Sequence, residues 1–193
     1  GQSFLDNAGS ALPTTAVLET VIAHLRLEAE VGGYVAAELA ADRIAAASTS
    51  AGALVGTTAD HIALHNSATD GWNRALSSIP LEPGDRILTT RSEYASNVLP
   101  MLQAITRMGV DVEFLPDGPD GTADPSALSR LLDERVKVLA ITHAPSQNGL
   151  LVDAVAFGSA LRSSGSDAWF LLDACQSVGQ LPINMTEIGC DFL

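Results

Sequence analysis

A carboxylate stands at the end of an apolar, strand-like run. The run AWFLL, residues 168–172, is followed directly by Asp173, and Gln176 lies three residues further on. Because a buried charge is costly unless it is paired or hydrogen-bonded, Asp173 needs a partner. Two partners fit equally well: the backbone amides of the following turn, or the protonated ring nitrogen of pyridoxal phosphate, with Gln176 donating to the phenolic oxygen of that ring. In the second case the carboxylate keeps the ring protonated, as an electron sink for a carbanion at the α-carbon of a substrate.

The segment NSATDGW, residues 66–72, has the composition of a phosphate-binding helix start. Ser67, Ala68 and Thr69 open a predicted helix, whose unpaired amides and positive dipole end favour a phosphate group. The same residues also make an ordinary helix cap, which this segment taken alone favours. Asp70 counts against a bound anion unless its side chain turns away.

Polar and aromatic residues also follow two other predicted strands. Tyr94, in RSEYASN, could stack on a planar ring, although such a residue more often simply packs. The loop THAPSQNG, residues 142–149, offers side chains that could hydrogen-bond a ligand: His143, Ser146, Gln147 and Asn148. A lone histidine at a strand end is more often structural than catalytic, so His143 is the weaker candidate.

An alternation of strands and helices positions these residues. Short β-rich runs alternate with helical segments after Asp60; the runs are HIALH, RILTT, VDVEFLP, VKVLAIT and AWFLLDA. This alternation predicts an α/β three-layer sandwich with a mostly parallel sheet, and the near-continuous apolar character of VLAI and WFLL fits strands buried on both faces. Ligands of such sheets bind beyond the carboxyl ends of the strands, where the candidate residues lie.

The part of the chain before this alternation is predicted to be helical. Apolar spacing predicts one helix from Thr14 to Glu30 and a second over residues 34–56, separated by two glycines. We therefore expect an N-terminal helical segment, residues 1–56, and a cofactor-binding large domain, residues 57–193.

Charge and composition exclude several classes of protein. The 193 residues carry a formal charge of -13, which disfavours nucleic acid and acidic membranes as partners. No apolar run is long enough to cross a bilayer, and the start lacks the pattern of a signal peptide, so a cytoplasmic location is expected. The two cysteines are expected to be reduced, with Cys175 a small core residue. The nucleotide, hydrolase and metal motifs GxGxxG, GxSxG, HExxH and CxxC are missing, so no metal site is expected.

Five stretches together resemble one known family. They are FLDNAGSALP, NSATDGWN, SEYASN, ITHAPSQNG and LLDACQSVGQLPINMTEIGCDFL, and they span the whole chain. In this order they resemble the class V aminotransferase family of fold-type I pyridoxal-phosphate enzymes. That branch includes cysteine desulfurases, selenocysteine lyases, isopenicillin N epimerase-like proteins, kynureninases and the ergothioneine carbon-sulfur lyase.

The resemblance implies roles for individual residues. Ala68 and Thr69 match the phosphate-binding turn, Asp173 the partner of the ring nitrogen, and Gln176 the partner of the phenolic oxygen. Ser146 occupies the place of a ligand-facing polar residue. Tyr94 falls where desulfurases carry a stacking histidine, a difference that argues against classical desulfurase chemistry and towards the epimerase-like and lyase-like members.

The resemblance also implies that the catalytic lysine lies outside this sequence. In the family, the lysine that binds the cofactor as a Schiff base follows CDFL, so it is expected after Leu193, together with the small C-terminal domain. Lys137, the single lysine present, opens a predicted strand at the wrong end of the sheet. No catalytic residue is therefore expected within the chain.

The resulting functional prediction is the N-terminal part of a pyridoxal-phosphate enzyme that acts on an amino acid. Carbon-sulfur lyase or cysteine desulfurase-like chemistry ranks ahead of epimerisation and transamination, and a homodimer is implied by the resemblance. The alternative is a non-catalytic, truncated chain that lacks the Schiff-base lysine.

Overall fold

The computed structural model describes residues 3–193, which form two compact units. The first unit contains the residues up to Ala53 together with Thr58–Ile62, and the second contains Leu54–Thr57 and Ala63–Leu193. The predicted division at residue 56 stays a prediction.

Helices make up the first unit. They are α1 (Asn7–Ser10), α2 (Thr15–Val31), α3 (Gly33–Leu39) and α4 (Ala41–Val55, whose last residues belong to the second unit), followed by a 3-10 turn at Ala59–His61. The hydroxyl of Thr14 caps α2, and Gly32 ends it with a φ of 83° that favours glycine. The second predicted helix is divided at Ala40 into α3 and α4, a break that nothing in its alanine-rich sequence marks.

A four-stranded parallel sheet forms the centre of the second unit. Its strands are β1 (Arg86–Thr89), β2 (Asp111–Phe114), β3 (Val136–Thr142) and β4 (Trp169–Asp173), in the order β2-β1-β3-β4. The helices are α5 (Ala68–Ser78), α6 (Ala95–Met108), α7 (Leu128–Leu131, after a 3-10 turn at Pro125–Ala127), α8 (Ala154–Ser164) and α9 (Met185–Ile188). After β1 the chain adds β2 on one side of β1, and it then crosses over to add β3 on the other side. The boundary between β1 and β3 is therefore a topological switch point.

Both faces of this sheet are covered. Leu139 and Phe170 pack on one face with Phe157 of α8, and Val138 and Leu171 pack on the other with residues of α5 and α6. Successive strand residues point to opposite faces, so this division is the physical basis of the apolar runs read from the sequence. The predicted three-layer arrangement is therefore confirmed.

Four of the five predicted strands form, and the prediction for HIALH is wrong. His61 ends a 3-10 turn, and residues 62–65 have no regular structure. Within residues 3–193 both edges of β1 and of β3 are paired with other strands, and residues 62–65 pair with neither outer strand. The outer edge of β4 is used in part by Phe192, whose carbonyl accepts from Leu172 N at 2.9 Å.

Candidate functional site

Asp173 is the last residue of β4 and is half-buried. Its Oδ1 accepts the backbone N–H of Cys175 at 2.9 Å, and its Oδ2 accepts Nδ2 of Asn97 at 2.7 Å. The turn-capping partner predicted from the sequence is thus present. A carboxylate has about four lone-pair sites, so a further donor such as a ring N–H still fits.

A buried hydrogen-bond network links Asp173 to two neighbouring strand ends. Glu93 follows β1, and its carboxylate accepts the backbone N–H of Thr142 at 2.8 Å and the Thr142 hydroxyl at 2.6 Å. Thr90 donates its hydroxyl to the same carboxylate at 2.8 Å. Asn97, in the first turn of α6, lies 3.5 Å from the Thr142 hydroxyl with the nitrogen that also contacts Asp173.

Burial raises the pKa of Glu93. Only 6% of this residue is exposed, and its burial raises the pKa of the carboxyl above the ordinary value, against the hydrogen bonds from Thr142 and Thr90 that lower it. A buried carboxylate that accepts three hydrogen bonds from the ends of two strands acts as a structural anchor for the site.

The sequence reasoning missed Glu93, Asn97 and Thr142. One signal was present, because Thr142 ends the apolar strand VKVLAIT as a polar residue, just as Asp173 ends AWFLLD. Glu93 lies two residues before α6 and Asn97 lies in its first turn, so no helical spacing marks them as a pair, and their partners are distant in sequence.

The first turn of α5 fits an anion. Ser67 caps the helix by accepting Asp70 N at 3.2 Å, and the exposed residues Ala68 and Thr69 follow it. The first amides of a helix have no carbonyl partner within the helix and carry its positive dipole end. The prediction that Ala68 and Thr69 bind a phosphate stays a prediction.

Asp70 does not oppose an anion there as strongly as its position suggests. Its carboxylate accepts Nε of Arg74 at 3.0 Å, and Nδ1 of His65 lies 3.1 Å from its other oxygen. The hydrogen bond from Arg74, followed by the one from His65, holds the pKa of Asp70 below its usual value. The arginine therefore offsets the negative charge that the sequence places beside the candidate phosphate site.

Two of the predicted polar residues join loops. Gln147 donates to the backbone carbonyl of Glu93 at 3.3 Å, and Asn148 donates to the Ser92 hydroxyl at 3.2 Å. These bonds tie the loop after β3 to the loop after β1. Ser146, on the same loop, is exposed and stays a candidate for ligand contact.

His143 connects the end of β3 to the turn after β4. Its Nδ1 lies 2.9 Å from the hydroxyl of Ser177, and both residues are buried. Burial lowers the pKa of His143, against the charge of Asp153, which raises it. These contacts suit the structural role that the sequence favoured for this histidine.

Tyr94 and Gln176 both lie at the carboxyl edge of the sheet. Tyr94 precedes α6 and is 52% exposed, so its ring is accessible to a ligand. Gln176 is half-buried in the turn that follows Asp173. Their contacts with a cofactor stay predictions.

The prediction that Cys175 is a core residue is wrong. This cysteine is exposed, although Ala174 before it and Ser177 after it are buried. Burial and, to a smaller degree, the charge of Asp173 raise the pKa of its thiol, so its thiolate is disfavoured. Burial raises the pKa of Cys190 to about 11, and both cysteines are free thiols.

Lys137 lies at the opposite edge of the sheet. It follows the first residue of β3, is exposed, and donates Nζ to the Glu134 carbonyl at 2.8 Å. Asp173 ends the neighbouring strand β4, parallel to β3, so the two residues are at opposite ends of the sheet. Lys137 is therefore not placed to contact a ligand at Asp173.

Residues 3–193 contain neither a membrane-crossing helix nor a cluster of metal ligands. No helix in this range combines the length and the apolar character needed to cross a bilayer. In the same residues, no group of three or more His, Cys, Asp or Glu side chains has the arrangement of a metal site.

A sequence profile of one family covers almost the whole chain. The profile of aminotransferase class V matches residues 3–193. The chain therefore belongs to the class V aminotransferase family of pyridoxal-phosphate-dependent enzymes, as its motifs predict.

Curated relatives of the chain include several cysteine desulfurases. One from Pectobacterium atrosepticum is 28% identical over 202 residues, which cover 98% of this chain and 48% of that protein. A probable cysteine desulfurase from Mycobacterium leprae is 30% identical over 148 residues, or 72% of this chain and 34% of the relative. The chain spans about half the length, or less, of these curated relatives.

Solved structures share the fold. The cystine C-S lyase C-DES, in complex with its product cysteine persulfide, matches 93% of this chain and 49% of its own, with a TM-score of 0.83 and 22% identity. The cysteine desulfurase CsdA from Escherichia coli matches 97% of this chain and 48% of its own, with a TM-score of 0.83 and 23% identity. The predicted fold-type I architecture is confirmed.

The donor and acceptor groups fit the cofactor of this family. A pyridinium nitrogen needs a carboxylate acceptor with a free lone pair, which Asp173 can supply. A phosphate needs N–H donors, which the start of α5 supplies, and Arg74 offsets the charge of Asp70 beside them.

Proposed function

We propose that the protein containing this chain is a pyridoxal-phosphate enzyme that cleaves a carbon-sulfur bond of a sulfur-containing amino acid, as a cysteine desulfurase or carbon-sulfur lyase does. The observation that carries the proposal is the Asp173 carboxylate, held by two hydrogen bonds at the carboxyl end of a buried strand in a chain of this family. When bound, the cofactor supplies an electron-withdrawing ring that stabilises negative charge at the substrate α-carbon.

The proposed roles follow the placement of the side chains. Asp173 holds a proton on the ring nitrogen, and Gln176 donates to the phenolic oxygen. The amides of Ala68 and Thr69 bind the phosphate at the positive end of α5. Tyr94 covers one face of the ring.

Substrate contacts in this chain are proposed for the loop after β3. Ser146 is exposed there, while Gln147 and Asn148 hold the loop against the loop after β1. Ser146 can therefore face the ligand while Gln147 and Asn148 keep its loop in place. The group that moves the α-proton, a lysine in this family, is proposed to lie after Leu193.

The choice of sulfur chemistry is supported by the names of the relatives. The proteins from Pectobacterium atrosepticum and Mycobacterium leprae are named as cysteine desulfurases, the second as a probable one, and C-DES is named as a cystine C-S lyase. Tyr94, in the place of the desulfurase histidine, favours the lyase over the desulfurase. A homodimer and a cytoplasmic location belong to the proposal as implications of the family and of the composition.

The proposal predicts the effect of replacing Asp173. In the complete protein, Asp173→Asn should lower the kcat of sulfur release from L-cysteine or L-cystine by about 10- to 100-fold, the value of a hydrogen bond to a charged group. The phosphate contacts are untouched, so the variant should still bind the cofactor, although more weakly, and its activity is measured at saturating pyridoxal phosphate. Product sulfur and bound cofactor are measured side by side.

The matched control is Asp124→Asn, because Asp124 caps a 3-10 turn and asparagine caps equally well. It should leave kcat unchanged. Full activity in Asp173→Asn would refute the role of this carboxylate. Inversion of the α-carbon without loss of sulfur would replace the lyase by the epimerase alternative.

A further inference from the structure

The side chain of Asn97 holds Asp173 from outside the turn that follows β4. Asn97 lies in the first turn of α6, only 2% of it is exposed, and its Nδ2 lies 2.7 Å from Asp173 Oδ2. A carboxylate accepts hydrogen bonds, so the nitrogen of the amide, and not its oxygen, must face Asp173.

We infer that Asn97 is a positioning residue that sets the plane of the Asp173 carboxylate for the ring-nitrogen contact, an inference that rests on the proposed function. The torsion that rotates an aspartate carboxylate is broad and roughly two-fold, so one hydrogen bond leaves its plane loosely defined. Cys175 N holds Oδ1 and Asn97 holds Oδ2. Donors on different oxygens, from different elements, define the plane.

Asn97 is itself held in place by the strand ends. Its amide nitrogen also lies 3.5 Å from the Thr142 hydroxyl, at the outer limit of a hydrogen bond, and that hydroxyl donates to the buried Glu93 at 2.6 Å. Glu93 is fixed in turn by the backbone N–H of Thr142 at 2.8 Å. Through Asn97, the plane of the Asp173 carboxylate is therefore fixed by β3 and by the loop after β1. Neither of these is part of the turn after β4.

The experiment compares two cofactors that differ at one atom. The complete protein is freed of cofactor, and its affinities for pyridoxal phosphate and for the 1-deaza analogue, in which CH replaces the ring nitrogen, are measured by fluorescence titration. Both molecules carry the same aldehyde and the same phosphate, and their intrinsic differences in ring electronics are the same for every protein tested, so a change in the ratio of the two dissociation constants between variants reports the ring-nitrogen contact.

The wild-type protein should prefer pyridoxal phosphate, and Asp173→Asn should reduce that preference by about 10- to 100-fold. Asn97→Leu should reduce it by about 3- to 10-fold, the value of one hydrogen bond that orients rather than contacts the ligand. In the Asn97→Leu/Asp173→Asn double variant the preference should fall no further than in Asp173→Asn, because Asn97 acts through Asp173.

Two further sets of variants separate positioning from stability. Thr142→Val removes the hydroxyl between Asn97 and Glu93 and should reduce the preference in part, whereas Thr142→Ser keeps the hydroxyl and should preserve it. Asn184→Ala removes the two capping bonds at α9, outside the network around Asp173, and should leave the preference unchanged even where it lowers stability.

The outcomes are distinct for the two proposals. Equal weakening of both cofactors by Asn97→Leu, with an unchanged ratio, would overturn the positioning role and leave the function of Asp173 intact. An Asn97→Leu protein that does not fold shifts the decision to Thr142→Val, whose unchanged ratio would overturn it equally. A wild-type protein without any preference would instead refute the ring-nitrogen contact itself.

Discussion

At the scale of single residues, ionisable side chains are buried at the carboxyl edge of the sheet with their partners already in place. Glu93 accepts three hydrogen bonds, and His143 lies 2.9 Å from the Ser177 hydroxyl. Burial disfavours the charged form of each group, so it raises the pKa of Glu93 and lowers the pKa of His143. Stability should therefore depend on pH through groups that lie beside the proposed cofactor site.

His143 gives a prediction with a defined sign. Its pKa in the folded state is lowered from 6.5, so below about pH 6.5 the unfolded chain takes up a proton that the folded chain resists. The free energy of unfolding should therefore fall as the pH drops from 6.5 towards the folded-state pKa. His143→Gln, which keeps a polar partner for Ser177, should remove this contribution.

Urea unfolding of the wild-type protein and of His143→Gln between about pH 5 and pH 8 checks this pH dependence. The difference between the two curves isolates His143 from Glu93, whose raised pKa makes stability decrease as the pH rises above 4.5. Parallel curves for the two proteins would show that His143 does not titrate as its burial requires.

At the scale of elements, the helices α8 and α9 meet in a close backbone contact. A Cβ added to Gly158 of α8 would lie 1.7 Å from the Ile188 carbonyl oxygen at the end of α9. Residues near this contact, Phe157 and Ile188, belong to the same core cluster. A glycine in the middle of a helix, normally unfavourable, is required at this position because two backbones approach each other.

Gly158→Ala should therefore lower stability by about 1–3 kcal/mol or more, the cost of overpacking, although alanine is the better helix former. Gly33→Ala is the matched control. Gly33 opens α3, and no atom lies within 4 Å of an added Cβ, so this change should be neutral or stabilising. Denaturant midpoints of the two variants decide the matter, and a stabilised Gly158→Ala protein would contradict the α8/α9 packing.

At the scale of the whole molecule, β3 is the strand on which the second unit depends. It runs seven residues, pairs with a strand on each edge, and has every residue except Lys137 buried. β1 also lies between two strands but has four residues. The two core clusters meet at β3, since Leu139 belongs to one and Val138 to the other.

Leu139→Ala should accordingly destabilise the protein by about 2–5 kcal/mol, the cost of a buried leucine truncated in a packed core. Lys137→Ala, two residues earlier on the same strand but exposed, should change the free energy of unfolding by less than about 1 kcal/mol. Equilibrium denaturation measures both. Equal effects from the two variants would contradict the burial of Leu139 in the core beside β3.

Local patterns in the sequence determined most of the architecture. Apolar runs marked β1, β3 and β4, because strands buried on both faces need apolar residues on both, and the alternating segment VDVEFLP marked the outer strand β2. Glycine and capping residues marked the main helices. The same patterns overpredicted a strand at HIALH and did not mark the break at Ala40. Asp173 was recognisable as a candidate because its charge is locally out of place at the end of an apolar run.

What only the tertiary structure decided is which distant groups meet. Glu93, Asn97 and Thr142 carry no signal as a set, since 49 residues separate the first from the third and 76 separate Asn97 from Asp173. The parallel sheet brings the carboxyl ends of its strands to one edge. Hydrogen bonds form only over a short distance, so the groups that pair there are those that the strand order places next to each other. A periodic sequence pattern reports the face on which a side chain lies, whereas a hydrogen-bonded site also depends on the order of the strands.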